Sequence, residues 1–125
     1  MLRNLQAPPM QVSIGEAGRL SGLTPRAIRL YEDRGLLTAG RDQNGVRLYG
    51  AEGLDRLGFI ALARHAGLAI RDIARLLKIG DAQGLAEQNA RMVDLCHKRL
   101  NELEAERQKV RGVLSQLDAR RSQAA

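Results

Sequence analysis

The sequence has no tryptophan, one phenylalanine and two tyrosines, so its core cannot rest on packed aromatic rings. Leucine, isoleucine, valine and alanine must fill it, which suits helices packed on helices. A single cysteine, Cys96, rules out an intramolecular disulfide. No apolar run approaches the length of a membrane span, and Met1–Gln11 lacks the apolar stretch of a secretion signal. The expected location is therefore the cytoplasm, away from any membrane. Proline is scarce as well, and two of the three prolines are Pro8 and Pro9, which block a helix in what is expected to be a loose tail over residues 1–11. No carboxylate pair, Ser/His/Asp set or glycine-rich phosphate loop stands in a plausible context, so an enzyme is not expected and no cofactor is implied.

What is present is enough for one small domain with an appendage. Residues AVILMFWYC make up 44% of 125, which allows a core, although a chain this short buries one only marginally. The formal charge is +6 and unevenly placed: residues 1–80 carry 12 basic and 7 acidic groups, residues 81–125 carry 8 and 7. A basic first section attracts DNA, RNA or an anionic surface, or is simply a solvated basic face; charge alone leaves both open.

Local signals divide the chain. Ser13 can cap a short helix over Ile14–Leu20, with Glu16 completing a capping box and Ile14, Ala17 and Leu20 on one face. Gly22 suits the left-handed end of that helix. Thr24 and Pro25 then open a second helix as cap and first residue, with Ala27, Ile28 and Tyr31 turned inward and Arg26, Arg29 and Arg34 elsewhere. Gly35 ends it, and Leu36 and Leu37 pack at the turn. Asn44–Gly45 signals a type I′ hairpin, a two-stranded wing carrying Arg41 and Arg47. Two further helices follow: Ala51 to about His65, with Leu54, Leu57, Ile60 and Leu62 at helical spacing, and Ile70 to about Ile79, with Ile70, Ile73, Leu76 and Leu77 on one face. Gly67 separates them and Gly80 is expected to end the second.

From about Leu85 to Arg120 a helical pattern runs without proline, roughly 50 Å long at 1.5 Å per residue. It carries a heptad. Val93, Leu100, Arg107 and Leu114 form one set, and Cys96, Leu103, Val110 and Leu117 the other, offset by three as a and d positions are. A seam this narrow on a helix this long calls for a partner, here a second copy. The expected division is a tail (1–11), a folded domain of four helices and a hairpin wing (12–80), a dimerisation helix (81–120) and a frayed end (121–125).

A short helix, a glycine turn and a second helix with outward arginines make a helix-turn-helix, a geometry common enough to be weak evidence by itself. The particular residues are more telling. The run IGEAGRLSGLTPRAIRLYEDRGLL over Ile14–Leu37, followed by NGVRLY over Asn44–Tyr49, resembles the MerR family of bacterial regulators. The block Ala27–Glu32 with Arg34–Leu37 is most diagnostic, and Leu57–Leu68 with Ile73–Leu77 also fits. The resemblance extends over residues 12–120.

This resemblance implies a mainly α fold: a winged helix-turn-helix domain followed by a long helix that pairs as an antiparallel coiled coil. It implies a homodimer on a two-fold symmetric promoter operator, controlling transcription by bending and untwisting the DNA so that RNA polymerase can engage. Position by position, Thr24 matches a cap that touches phosphate, and Arg26 and Arg29 match recognition-helix contacts. Tyr31 matches an aromatic that supports the helix and approaches the backbone; it could equally be core. Arg47 and Tyr49 match wing positions, and Arg64 matches a backbone contact from the next helix.

The sequence also departs from the family. Val46 stands where the wing usually has tyrosine. Metal-sensing members carry Cys or Ser at the start of the long helix and a cysteine loop after it; near Ala82, the matching start, there is no thiol. Adjacent helical residues point about 100° apart, so Cys96 and His97 are poorly placed to chelate one ion, and no metal site is expected. Cys96 is read as a seam residue, with thiol sensing as the alternative. His65 is read as capping its helix, with contact to DNA as the alternative. No separate effector domain is expected after the long helix, and no inducer can be named. Two other classes compete: an architectural, excisionase-like DNA binder, and an interaction module whose long helix pairs with a different protein.

Overall fold

The computed structural model describes residues 10–124. In chain order it contains α1 (Ile14–Ser21), α2 (Pro25–Asp33), β1 (Gly40–Arg41), β2 (Arg47–Leu48), α3 (Ala51–His65), α4 (Ile70–Gln83) and α5 (Leu85–Ala124). Most of the expected tail lies outside the described residues. Directly after it, the Val12 N–H and carbonyl pair with Tyr49 at 2.9 Å each, tying the start of the domain to the wing.

The helix starts follow their caps. Ser13 Oγ accepts from the Glu16 N–H at 3.2 Å, and Thr24 Oγ1 accepts from the Ala27 N–H at 3.1 Å. Such a cap contributes about 1 kcal/mol. The capping box is only half made, because the Glu16 carboxylate turns to Arg19, whose Nε donates at 2.9 Å. That exposed guanidinium holds the Glu16 carboxyl below its ordinary range. Gly22 ends α1 in the left-handed region, as expected. Gly18 sets how closely α1 meets the turn and α2: a Cβ there would lie 2.7 Å from the Leu23 carbonyl oxygen.

The core is aliphatic with two tyrosines. Ala17, Ile28, Tyr31, Leu36, Leu37, Tyr49, Leu57, Ile60, Ala63, Leu68, Ile73, Leu76, Leu77 and Met92 are buried in one cluster. Every helix from α1 to the first turns of α5 therefore contributes to it, whereas β1 and β2 do not. Leu62, placed with the core-facing residues by helical spacing, is instead exposed. It lines an open groove with Ser21–Leu23, where the turn of the helix pair passes α3.

Gly80 does not end α4, which runs on to Gln83 and stops at Gly84 with φ +95°. The glycine is needed for space rather than as a stop. A Cβ on Gly80 would lie 2.2 Å from Gln88 Nε2 and 2.9 Å from its Cδ. Gln88 is buried there, and its amide donates to the Leu76 carbonyl at 3.3 Å. The side chain thus satisfies itself on α4 while α5 lies against that helix.

The wing turn also differs from its expected form. Among the described residues none other than glycine has positive φ, so Asn44 is not in a type I′ turn. The Gly45 N–H bonds the Asp42 carbonyl at 3.0 Å, with Gln43 and Asn44 at the corner and Gly45 alone left-handed. This is the three-residue loop with a left-handed glycine. The Asp42 carboxylate stabilises it by accepting from the Asn44 and Val46 N–H groups at 2.8 and 2.9 Å. At the other end of the chain, α5 is helical through Ala124, past the residue where fraying was expected.

Candidate nucleic-acid interface

The second helix of the pair has a covered and an open face. Ile28 and Tyr31 are buried, whereas Arg26, Arg29, Leu30 and Asp33 are exposed. At its start, Thr24 is exposed and its hydroxyl is already engaged as the cap. The helix N-terminus with this cap and two outward arginines offers N–H groups, positive dipole and cationic side chains to a phosphate or base edge.

The wing stands at the far end of α2. β1 and β2 pair antiparallel, Gly40 with Leu48 and Arg41 with Arg47. Glu32, from the last turn of α2, binds the wing through one carboxylate. Its Oε1 accepts from Arg41 Nη2 at 3.0 Å, and its Oε2 accepts from Arg47 Nε at 2.9 Å and from the Tyr49 hydroxyl at 3.3 Å. Arg41 Nη1 also donates to the Gly45 carbonyl at 3.2 Å. Tyr49 is buried, and burial pushes its hydroxyl above the ordinary tyrosine range, with the Glu32 charge adding to the effect.

Arg64 lies at the opposite end of α2. It is exposed in the last turn of α3, donates from Nη1 to the Leu68 carbonyl at 2.9 Å, and shares a groove with His65 and the Ser21–Leu23 turn. The fold thus sets Arg64 beside the turn that opens the recognition helix and Arg47 beside its end. Tyr31 and Tyr49 are inside the core, beneath this surface.

Sequence reasoning passed over Glu32 as a functional residue. The signal was available: Glu32 follows Ile28 by four, so it shares the inward side with Ile28 and Tyr31, where a carboxylate needs donors. Leu30, exposed between the two outward arginines and Asp33, was passed over as well.

The long helix divides along its length. Gln88 and Met92 are buried against the domain, and Leu95 and Cys96 are half-buried against the same cluster. Cys96 therefore packs on its own domain, set apart from the other seam positions. Val93, Leu100, Leu103, Val110, Leu114 and Leu117 are 43–61% exposed, as is Val113. Among the described residues no group of three or more His, Cys, Asp or Glu gathers where it could hold a metal ion. Among the described residues no helix is long and apolar enough to cross a membrane.

A model of the MerR HTH family regulatory protein matches residues 12–79, and a second, MerR, DNA binding, matches residues 54–120. The chain belongs to the MerR family. It is 38% identical over 89 residues to an HTH-type transcriptional regulator of Pseudomonas aeruginosa, covering 64% of this chain and 67% of the relative. It is 33% identical over 93 residues to the HTH-type transcriptional regulator HmrR of Rhizobium leguminosarum bv. viciae, covering 74% and 70%. The crystal structure of the transcription regulator PbrR691 from Ralstonia metallidurans, in complex with lead(II), superposes with a TM-score of 0.65 at 29% identity, covering 85% of this chain and 82% of that one. This MerR-type chain is a DNA-binding transcriptional regulator of winged helix-turn-helix fold, a family of regulators rather than enzymes.

Proposed function

We propose that the chain binds a two-fold symmetric promoter operator as a homodimer and controls transcription by distorting the DNA between promoter elements. The observation that carries this reading is the pairing of one exposed recognition helix per chain with an unpartnered apolar stripe on α5. A single recognition helix reads few bases, and two held apart by a rigid spacer read a palindrome. An α5 of 40 residues spans roughly 60 Å, and pairing it antiparallel with its copy separates the two domains.

In this reading Arg26 and Arg29 address base edges and phosphates from α2, and Thr24 presents the helix N-terminus. Arg47 reaches the backbone from the wing and Arg64 from α3. Tyr31 and Tyr49 support the surface from beneath. Val93, Leu100, Leu103, Val110, Leu114 and Leu117 form the dimer seam, and Cys96 packs where α5 leaves the domain. The protein works in the cytoplasm, on the nucleoid, with RNA polymerase as the partner at the remodelled promoter. No effector is assigned.

The test is a nuclease footprint on DNA upstream of its own and neighbouring genes. A two-fold symmetric footprint with a hypersensitive centre, lying between promoter elements, is the expected result. An irregular footprint away from promoters would replace this reading with an architectural one.

A further inference from the structure

The recognition helix and the wing are joined by a charged group that does not itself face outward. Glu32 is largely covered, its side chain 16% exposed. Three donors converge on its carboxylate: Arg41 on one oxygen, Arg47 and Tyr49 on the other. Strands of two residues are too short to hold an orientation by themselves. The base of the wing is anchored independently, by the buried Tyr49 and its bridge to Val12. The tip is closed within the hairpin by Asp42. Among the described residues, the hydrogen bonds that run from the wing guanidiniums back to α2 end on Glu32.

We infer that Glu32 is a positioning residue for DNA reading: it fixes the Arg41 and Arg47 guanidiniums relative to α2 and so converts charge attraction into operator selectivity. The inference rests on the DNA-reading role proposed for α2 and the wing. Two effects act in the same direction. An arginine on a free side chain reaches phosphates in many registers and binds any duplex, whereas one already held has lost that freedom before DNA arrives. Arg47 is held through Nε, so the bond leaves its two terminal nitrogens for a phosphate or a guanine edge. The carboxylate also offsets one positive charge at the interface, which weakens sequence-independent binding more than specific binding.

Two variants separate position from charge. Glu32→Gln removes the charge and cannot pair with both guanidiniums; Glu32→Asp keeps the charge but is one methylene too short to reach both. Each is compared with the wild-type chain, full length, for affinity to an operator duplex selected from a random pool and to a random duplex, across salt concentrations, with thermal melting measured alongside. Both variants are expected to lose about tenfold in the ratio of operator to random affinity, comparable to one mismatched base pair. Only Glu32→Gln is expected to bind random duplex as well as or better than wild type at low salt, with a steeper salt dependence. A folded variant that keeps the wild-type ratio and merely melts lower would show Glu32 to be structural and overturn the inference. So would melting of both variants below the assay temperature. A wild-type chain with no preference for any duplex would instead remove the DNA-reading proposal on which the inference stands.

Discussion

In the first turns of α5, Gln88 and Met92 are buried against α4, and Leu95 and Cys96 are half-buried. From Leu100 to Ala124 every described side chain of the same helix is exposed, six large aliphatic ones included. One continuous helix therefore has two different sources of stability. The proximal part is held by tertiary packing on its own domain. The distal part has intrinsic propensity and a scatter of exposed ion pairs, such as Arg107 with Glu104 and Arg121 with Asp118, each contributing a few tenths of a kcal/mol. A helix of that length with an apolar stripe needs a second surface, and in the proposed homodimer the heptad set meets another helix.

The comparison can be broken most severely at the distal stripe. Replacing Leu103 and Leu114 together by Glu puts charge on both heptad sets while leaving the domain core untouched. The expected result is a monomer by size-exclusion chromatography with light scattering. Operator affinity should fall at least about a hundredfold, because two linked half-site contacts become one. A dimer that survives would move the partner surface elsewhere.

Substitutions on the proposed reading surface should act the other way round, sparing the proposed dimer. Arg29→Ala and Arg47→Ala are each expected to cost about 1–3 kcal/mol of operator binding by gel shift, with unchanged oligomeric state. Normal binding by both would remove the docking arrangement proposed for α2 and the wing.

The proximal part is tested at Gly80, where α4 meets the first turn of α5. Gly80→Ala drives a methyl group into buried Gln88, and the expected loss is about 1–3 kcal/mol in denaturant unfolding, with no change in the residues proposed to face DNA. An unchanged midpoint would mean that α5 is free to lift from α4.

The smallest effect is electrostatic. Arg56 links the domain through Nε to the Leu36 carbonyl at 2.7 Å and through Nη1 to Asp81 at 2.7 Å. That hydrogen bond holds the Asp81 carboxyl below its ordinary range. A depressed carboxylate stabilises the fold above its unfolded pKa, near 3.9, and the contribution is lost as pH falls through the lower folded value. Asp81 is mostly exposed, so Asp81→Asn should cost at most about 1 kcal/mol at neutral pH. The difference from wild type should shrink as pH falls below the ordinary aspartate value and vanish below the lowered folded one in acid titration of stability; a constant difference would assign it to another cause.

How much of this was legible in the sequence depended on the range of the interaction. Caps act within three residues, so Ser13, Thr24 and Pro25 announced α1 and α2 correctly. The heptad of α5 is periodic and was equally plain, and its seam positions from Leu100 onward do stand exposed. What escaped notice depended on contacts across the fold. Gly80 looks like a helix stop until Gln88 is brought against it. Cys96 falls on the heptad, yet the domain reaches far enough along α5 to cover it in part. Leu62 fits a core spacing but lies where α3 passes an open groove. Within the candidate interface, the outward arginines could be read from α2 alone. For Glu32, α2 alone shows only that it shares the inward side with Ile28 and Tyr31; its donors could not be read, because they come from positions 9 to 17 residues further along the chain.

Sedimentation equilibrium of the intact chain tests the central claim most directly. Since one chain is 13.7 kDa, the account predicts a single species of twice that mass at micromolar concentration, without DNA. A species of 13.7 kDa under the same conditions would contradict it and leave the distal half of α5 to a different partner.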